Sequence, residues 1–260
     1  IQLCNQGHRL AVLTIDPSST LSKGSILGDK TRMENLARHP NAFIRPSPTG
    51  GTLGGVANKT RETILLCEAF GFDTIFVETV GVGQSEITVR SLVDFFMLLL
   101  LPGAGDELQG IKKGVIEIAD ALVINKADGD FESSARRACS QYANVLQYFQ
   151  PATEGWKTPV LSCSALHNQG IDTIWNTVAE FINQTKATGV IDKRRQEQSI
   201  DWVHTLVNET LQTQFYHDHR VKALLPKLEA AVLKGELSPT LATERLLKIF
   251  AEPLNQPTQE

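Results

Sequence analysis

The stretch "ALVINKADGD", residues 121–130, decides how this chain is read. Four apolar residues run straight into Asn125, Lys126, Ala127 and Asp128. A short apolar run bounded by a polar turn fits a strand buried on both faces of a parallel sheet. Asn-Lys-x-Asp at the end of such a strand has a specific chemical use. The Asp128 carboxylate can accept two hydrogen bonds, from guanine N1–H and from its exocyclic amine. Adenine offers neither donor there and would leave the carboxylate desolvated and unpaired. Charge-assisted hydrogen bonds of this kind are worth about 1.5–3 kcal/mol each, so the discrimination is roughly a hundredfold or more. Asn125 is placed to tie neighbouring loops together, and the Lys126 stem to lie over the base. The same four residues also occur as ordinary loop caps, so their surroundings matter.

Outward from this stretch, strands and helices alternate. Apolar strand patterns cover residues 10–15, 74–78, 95–101, 121–124 and 159–162, and helical patterns cover 59–70, 131–146 and 171–186. The alternation predicts an α/β fold with a parallel sheet covered on both faces. Ligands in such sheets bind at the carboxyl ends of the strands, and each polar motif here follows a predicted strand. The run "FFMLLLL", residues 95–101, is expected to be a central strand buried on both faces. It is far shorter than the roughly 20 residues that a membrane span needs.

Four further motifs fall at strand ends. In "SCSALHNQGI", Ser164, Ala165 and Leu166 fit a second base-contacting loop, with backbone N–H groups directed at guanine O6. In "DTIFVETVGVGQSE", Glu78 ends a strand and can hold Mg²⁺ through a water, because Mg²⁺ keeps part of its hydration shell. Gly81 and Gly83 let backbone N–H groups approach a phosphate, and Gln84 is placed to order a water. A plain strand–turn–helix with Ser85 as N-cap explains the same residues. In "LTIDPSSTLSKGSILGDKTRM", Asp16 closes the first strand and Asp29 sits in the following loop. Asp29 separates Gly28 from Lys30, and a carboxylate against phosphate is repulsive unless a metal lies between. Asp16 and Asp29 are therefore read as metal-side residues. "GAGDELQGIKKG", residues 103–114, is either a mobile loop carrying Lys112 and Lys113 or a solvated connection.

The bulk properties exclude several classes. With 260 residues, 42% hydrophobic and 21% charged, the chain suits one large α/β domain with an appendage. A net charge of −4 and no basic stripe argue against nucleic acid or a membrane surface as partner. Cys4, Cys67, Cys139 and Cys163 form no CxxC pair, which suits inert thiols in a reduced, cytoplasmic protein.

Beyond about Thr188 the pattern is helical throughout. Ile200, Val203, Val207, Leu211 and Phe215 share one helical face. Pro226 is expected to kink or break the next helix, and Ser238 with Pro239 starts the last. Residues 1–188 are thus expected to form a GTP-binding domain and 189–260 a helical region, either packed on the sheet or acting as a dimerisation arm. The opening "IQLCNQGHRL" reads as the tail of a helix capped at Gly7.

Together these motifs, in this order, resemble the MeaB/ArgK-type P-loop GTPases, most strongly over residues 10–167. The resemblance implies a signal-recognition-like P-loop NTPase fold with a C-terminal helical dimerisation arm. It implies slow GTP hydrolysis with Mg²⁺ by a chaperone of an adenosylcobalamin-dependent methylmalonyl-CoA mutase, working as a homodimer. Carried over by motif, Asn125, Lys126, Asp128 and residues 164–166 read guanine, while Asp16, Asp29 and Glu78 surround the magnesium. Residues 103–114 would be the switch that addresses the mutase. Glu78, Gln84, Lys112 and Lys113 are the candidates for completing the catalytic site. The family also carries an older label as a kinase or ATPase of lysine/arginine/ornithine transport, which is the rival reading. A non-enzymatic scaffold is a third.

One part of the family pattern is missing. No Gly-Lys-Ser/Thr phosphate loop occurs in these residues. It is expected upstream of Ile1, and the 260 residues alone are expected to be inactive.

Overall fold

The structure, a computed structural model, describes residues 1–16, 33–48, 53–79, 85–102 and 113–252. Six strands are present among them: β1 (Leu10–Asp16), β2 (Ala42–Pro48), β3 (Thr74–Thr79), β4 (Met97–Leu100), β5 (Ala121–Ile124) and β6 (Val160–Ser162). Every ladder is parallel. They form two three-stranded sheets, ordered β2-β1-β3 and β4-β5-β6. Strand β5, central in its sheet, is buried along its whole length.

The helices are α1 (Gln2–Asn5), α2 (Glu34–Ala37), α3 (Leu53–Ala69), α4 (Ser85–Arg90), α5 (Lys113–Glu117), α6 (Glu132–Leu146), α7 (Ile171–Ala187), α8 (Val190–His217), α9 (His219–Leu233) and α10 (Pro239–Ala251). The chain divides into two compact units, 1–201 and 202–260. In the first, the main core runs through both sheets. Ile15 and Val77, near the tips of β1 and β3, share it with Leu100 and Ile124, at the ends of β4 and β5. The carboxyl ends of the strands are thereby gathered on one core.

Two local expectations need correction, and one strand has no counterpart among the expected ones. Strand β4 is not central among the described residues. It pairs only with β5, and its burial alternates: Leu98 and Leu100 are buried, Met97 and Leu99 exposed. An unbroken apolar run does not reveal which neighbours a strand has. Strand β2 went unseen because Pro46 and Pro48 demote it. Among the described residues it lies at a sheet edge, where the missing N–H groups of proline are tolerated. The break allowed at Pro226 does not occur: helix α9 continues through it. Proline removes one helical hydrogen bond there, and Val221 and Leu228, buried on either side of it, pack with Ala242 and Leu246 of α10.

Two end signals read from the sequence are present. Gly7 has φ +98° and donates its N–H to Cys4 O just after α1. Ser238 Oγ accepts the N–H of Leu241, with Pro239 opening α10. Among the described residues no helix is long and apolar enough to cross a membrane.

Candidate nucleotide-binding site

The site is built outward from β5. Its last residue, Ile124, accepts the N–H of Cys163, and the N–H of Asn125 goes to Leu100 O, both at 2.9 Å. These bonds fix the turn after β5 between the ends of β4 and β6. Asn125 then acts as a side-chain clasp. Its Oδ1 accepts the N–H of Lys126 at 2.8 Å and the N–H of Ala165 at 3.1 Å, with the Cys163 thiol at 3.5 Å. The N–H of Ala127 closes the other side on Cys163 O at 2.9 Å. The two motifs expected to read the base therefore form one hydrogen-bonded unit.

Lys126 adopts a left-handed backbone to make this geometry, φ +59°, unusual for a residue with a side chain. The conformation turns the chain so that Ala127 faces the core while Lys126 stays exposed. Asp128 follows in extended conformation and stands at the N-cap position of a single 3₁₀ turn, Gly129–Phe131. Its backbone oxygen accepts the N–H of Phe131 at 3.0 Å, while its carboxylate makes no cap hydrogen bond. Half-buried Asp128 lines a cavity of about 750 Å³, shared with Ser162, His167 and Gln169.

The loop after β6 is equally constrained. Ser164, 1% exposed, exchanges both backbone hydrogen bonds with Gln169 at 3.0 Å, and its Oγ accepts the N–H of His167. Gly170, at φ +75°, makes the closure possible: a β-carbon there would lie 2.6 Å from Ser162 O. Leu166 projects from the loop, 82% exposed. The expectation for this loop changes in one detail. The N–H of Ala165 is committed to Asn125, so Leu166 carries the free N–H of the pair among the described residues. Sequence reasoning missed Gly170, whose signal was the Gly-Ile step that opens α7.

On the other sheet, Glu78 is exposed near the tip of β3. It lies in register with Thr14, two residues before Asp16 ends β1. The backbone of Asp16 and the side chain of Glu78 thus share the carboxyl edge of one sheet. Lys113 opens α5. The side chains of Asp16 and Lys113, together with Asp29, Gly81, Gly83, Gln84, Lys112 and the rest of 103–112, lie outside the described residues. Among those described, no three His, Cys, Asp or Glu side chains assemble a metal site. A hydrated Mg²⁺ needs only one or two carboxylates, and Glu78 at the strand tip fits that demand.

The cysteines are free. Burial pushes the Cys67, Cys139 and Cys163 thiols up, Ser162 and Arg45 opposing in part at Cys139 and Cys67, which disfavours the reactive thiolate.

Comparison with known proteins agrees with this geometry. The profile of the family described as methylmalonyl Co-A mutase-associated GTPase MeaB matches residues 1–220. A Caulobacter vibrioides protein named as a GTPase is 52% identical over 248 residues, covering 95% of this chain and 76% of its own length. The mouse protein named methylmalonic aciduria type A homolog, mitochondrial, is 49% identical over 248 residues, covering 95% of this chain and 60% of its own. Among solved structures, one described as LAO/AO transport system kinase superposes with a TM-score of 0.70 at 35% identity. It covers 96% of this chain and 74% of its own.

Proposed function

The chain belongs to the methylmalonyl-CoA mutase-associated GTPase family, and from that premise we propose that it binds and hydrolyses GTP to regulate an adenosylcobalamin-dependent methylmalonyl-CoA mutase. The observation that carries the nucleotide half is the Asp128 carboxylate. It sits on a rigid frame at the end of the buried central strand, with no helix cap to satisfy. In this reading it accepts guanine N1–H and the exocyclic amine. The Leu166 N–H donates to O6, and the Lys126 stem covers the ring.

Glu78 and Asp16 would hold Mg²⁺, whose contribution is to neutralise phosphate charge. Asp29 is assigned to the same side. Gln84, Lys112 and Lys113 are the candidates for ordering water and stabilising charge, since phosphoryl transfer is chiefly positioning and electrostatics. The 260 residues contain no Gly-Lys-Ser/Thr loop for the phosphates, so hydrolysis is assigned to the full-length protein. Residues 189–260 are assigned to a homodimer. Ile200, Val203, Val207 and Leu211 support this, each half or more exposed on one face of α8.

Calorimetry of the full-length protein with GTP, GDP and ATP tests the nucleotide half. GTP and GDP are expected to bind at least about a hundredfold more tightly than ATP, and an ATP preference overturns the reading. The mutase half is tested by titrating a methylmalonyl-CoA mutase into the nucleotide-loaded protein. Identical mutase affinity and inactivation rate with and without GTP would reject it. A transport kinase, as the solved relative is described, would need adenine, which leaves Asp128 unpaired.

A further inference from the structure

Asp120 immediately precedes β5, at the end opposite Asn125, and is fully buried, yet it takes no part in the candidate nucleotide site. It is held by four groups from four parts of the chain. The Phe96 N–H donates to Oδ2 at 2.9 Å, and the Thr153 hydroxyl to Oδ1 at 2.5 Å. Arg90, the last residue of α4, pairs with Oδ2 at 3.1 Å. Arg194, in the second turn of α8, lies 3.7 Å from the same oxygen. Both arginine side chains are about 15% exposed. Both also donate to the Thr153 hydroxyl oxygen, and Arg194 reaches Asp94 O besides.

One carboxylate and one hydroxyl therefore serve two buried guanidinium groups. Burial pushes the Arg90 guanidinium below its ordinary pKa, with the Asp120 charge opposing that shift and Arg194 adding to it. Separating either buried cation from Asp120 would leave uncompensated buried charge, which is strongly unfavourable. The shared partners link the end of α4 to the second turn of α8. The same stretch of α8 is tied down nearby. Arg195 forks onto Asp94 and reaches Glu68 of α3, and Gln198 donates to Val93 O. Helix α4 is the first described element after the glycine-rich stretch of "ETVGVGQSE".

We propose that Arg90 is a positioning residue and that the Arg90–Asp120–Thr153–Arg194 cluster is a relay carrying nucleotide occupancy from α4 and β5 to the first turns of α8. The relay rests on the guanine-nucleotide reading of the Asn125 and Asp128 site.

Hydrogen exchange by mass spectrometry on the full-length protein tests it, comparing GDP with a non-hydrolysable GTP analogue. In the wild type, exchange over 190–201 is expected to differ between the two by about fivefold or more. In Arg90→Met and in Thr153→Val, protection over 125–128 persists while the difference over 190–201 falls below about twofold. Thr153→Val keeps every charge in place and decides the matter if Arg90→Met fails to fold. The relay is wrong if the difference over 190–201 survives in the folded variants. It is equally wrong if the wild type protects 125–128 but shows no difference over 190–201. A wild type in which neither nucleotide protects 125–128 instead removes the guanine reading, and the relay with it.

Discussion

Asn125 Oδ1 accepts the backbone N–H of Ala165 at 3.1 Å, across a sequence separation of 40 residues. A single side-chain oxygen thus joins the loop that ends in Asp128 to the loop that begins at Ser164. In the proposed reading both loops meet one base, and the clasp sets whether their donors and acceptors converge on it.

Replacing Asn125 with Ala removes acceptors for the N–H groups of Lys126 and Ala165 while leaving β5 intact. Each lost bond is worth about 1 kcal/mol. Guanine-nucleotide affinity should fall by about ten- to a hundredfold, while fold stability should fall by no more than about 2 kcal/mol. Calorimetry beside a urea melt of the same variant separates the two effects.

Gly170→Ala meets two obstacles together: φ +75° and a β-carbon 2.6 Å from Ser162 O, a backbone atom. The expected destabilisation is about 1–3 kcal/mol. Asn168, also left-handed at φ +54°, is the control. Asn168→Gly should be neutral or slightly stabilising. Chemical denaturation of both variants checks the pair.

Asp120→Ala leaves Arg90 and Arg194 facing each other without their shared anion. Loss of one partner from a buried ion cluster costs about 3–5 kcal/mol. The melting temperature should drop by several degrees, and a variant as stable as wild type would refute the arrangement.

In the helical unit, Asp218 caps α9, accepting the N–H groups of Arg220 and Val221. The Arg220 side chain, aided by these N–H groups against a burial effect that opposes them, holds the Asp218 carboxyl well below the usual range. A depressed folded-state value means that the unfolded chain binds the proton more readily. The contribution is full above the unfolded value of about 3.9 and is lost as pH falls below it. Asp218→Asn should therefore flatten the acid limb of stability between about pH 4 and pH 2. Hydrogen exchange in residues 219–233 across that range measures it.

Much of this site was legible because its signals are local. The run into Asn125 and the Ser-Ala-Leu turn after β6 follow from short-range sterics and hydrogen bonding, as does the Ser-Pro start of α10 in the helical unit. What was not legible depends on distant neighbours. The exposure of Leu99 follows from which strand flanks β4, and a run of leucines carries no record of that. Strand β2 hid behind prolines whose cost vanishes at an edge. Asp120 looked like an ordinary residue before a strand. Its partners, Arg90, Thr153 and Arg194, come from positions 30 to 74 residues away and only the fold assembles them. The commitment of the Ala165 N–H to Asn125 is likewise a tertiary fact.

The most direct test exchanges the atoms at the base-reading position. Asp128→Asn replaces two acceptors with one donor and one acceptor. Xanthine presents a carbonyl where guanine has its exocyclic amine, so the amide suits xanthine and fails guanine. In the full-length protein, the variant should lose GTP affinity by about a hundredfold or more and gain affinity for xanthosine triphosphate by a similar factor. Unchanged GTP binding in Asp128→Asn, with no response to xanthosine triphosphate, would contradict the account.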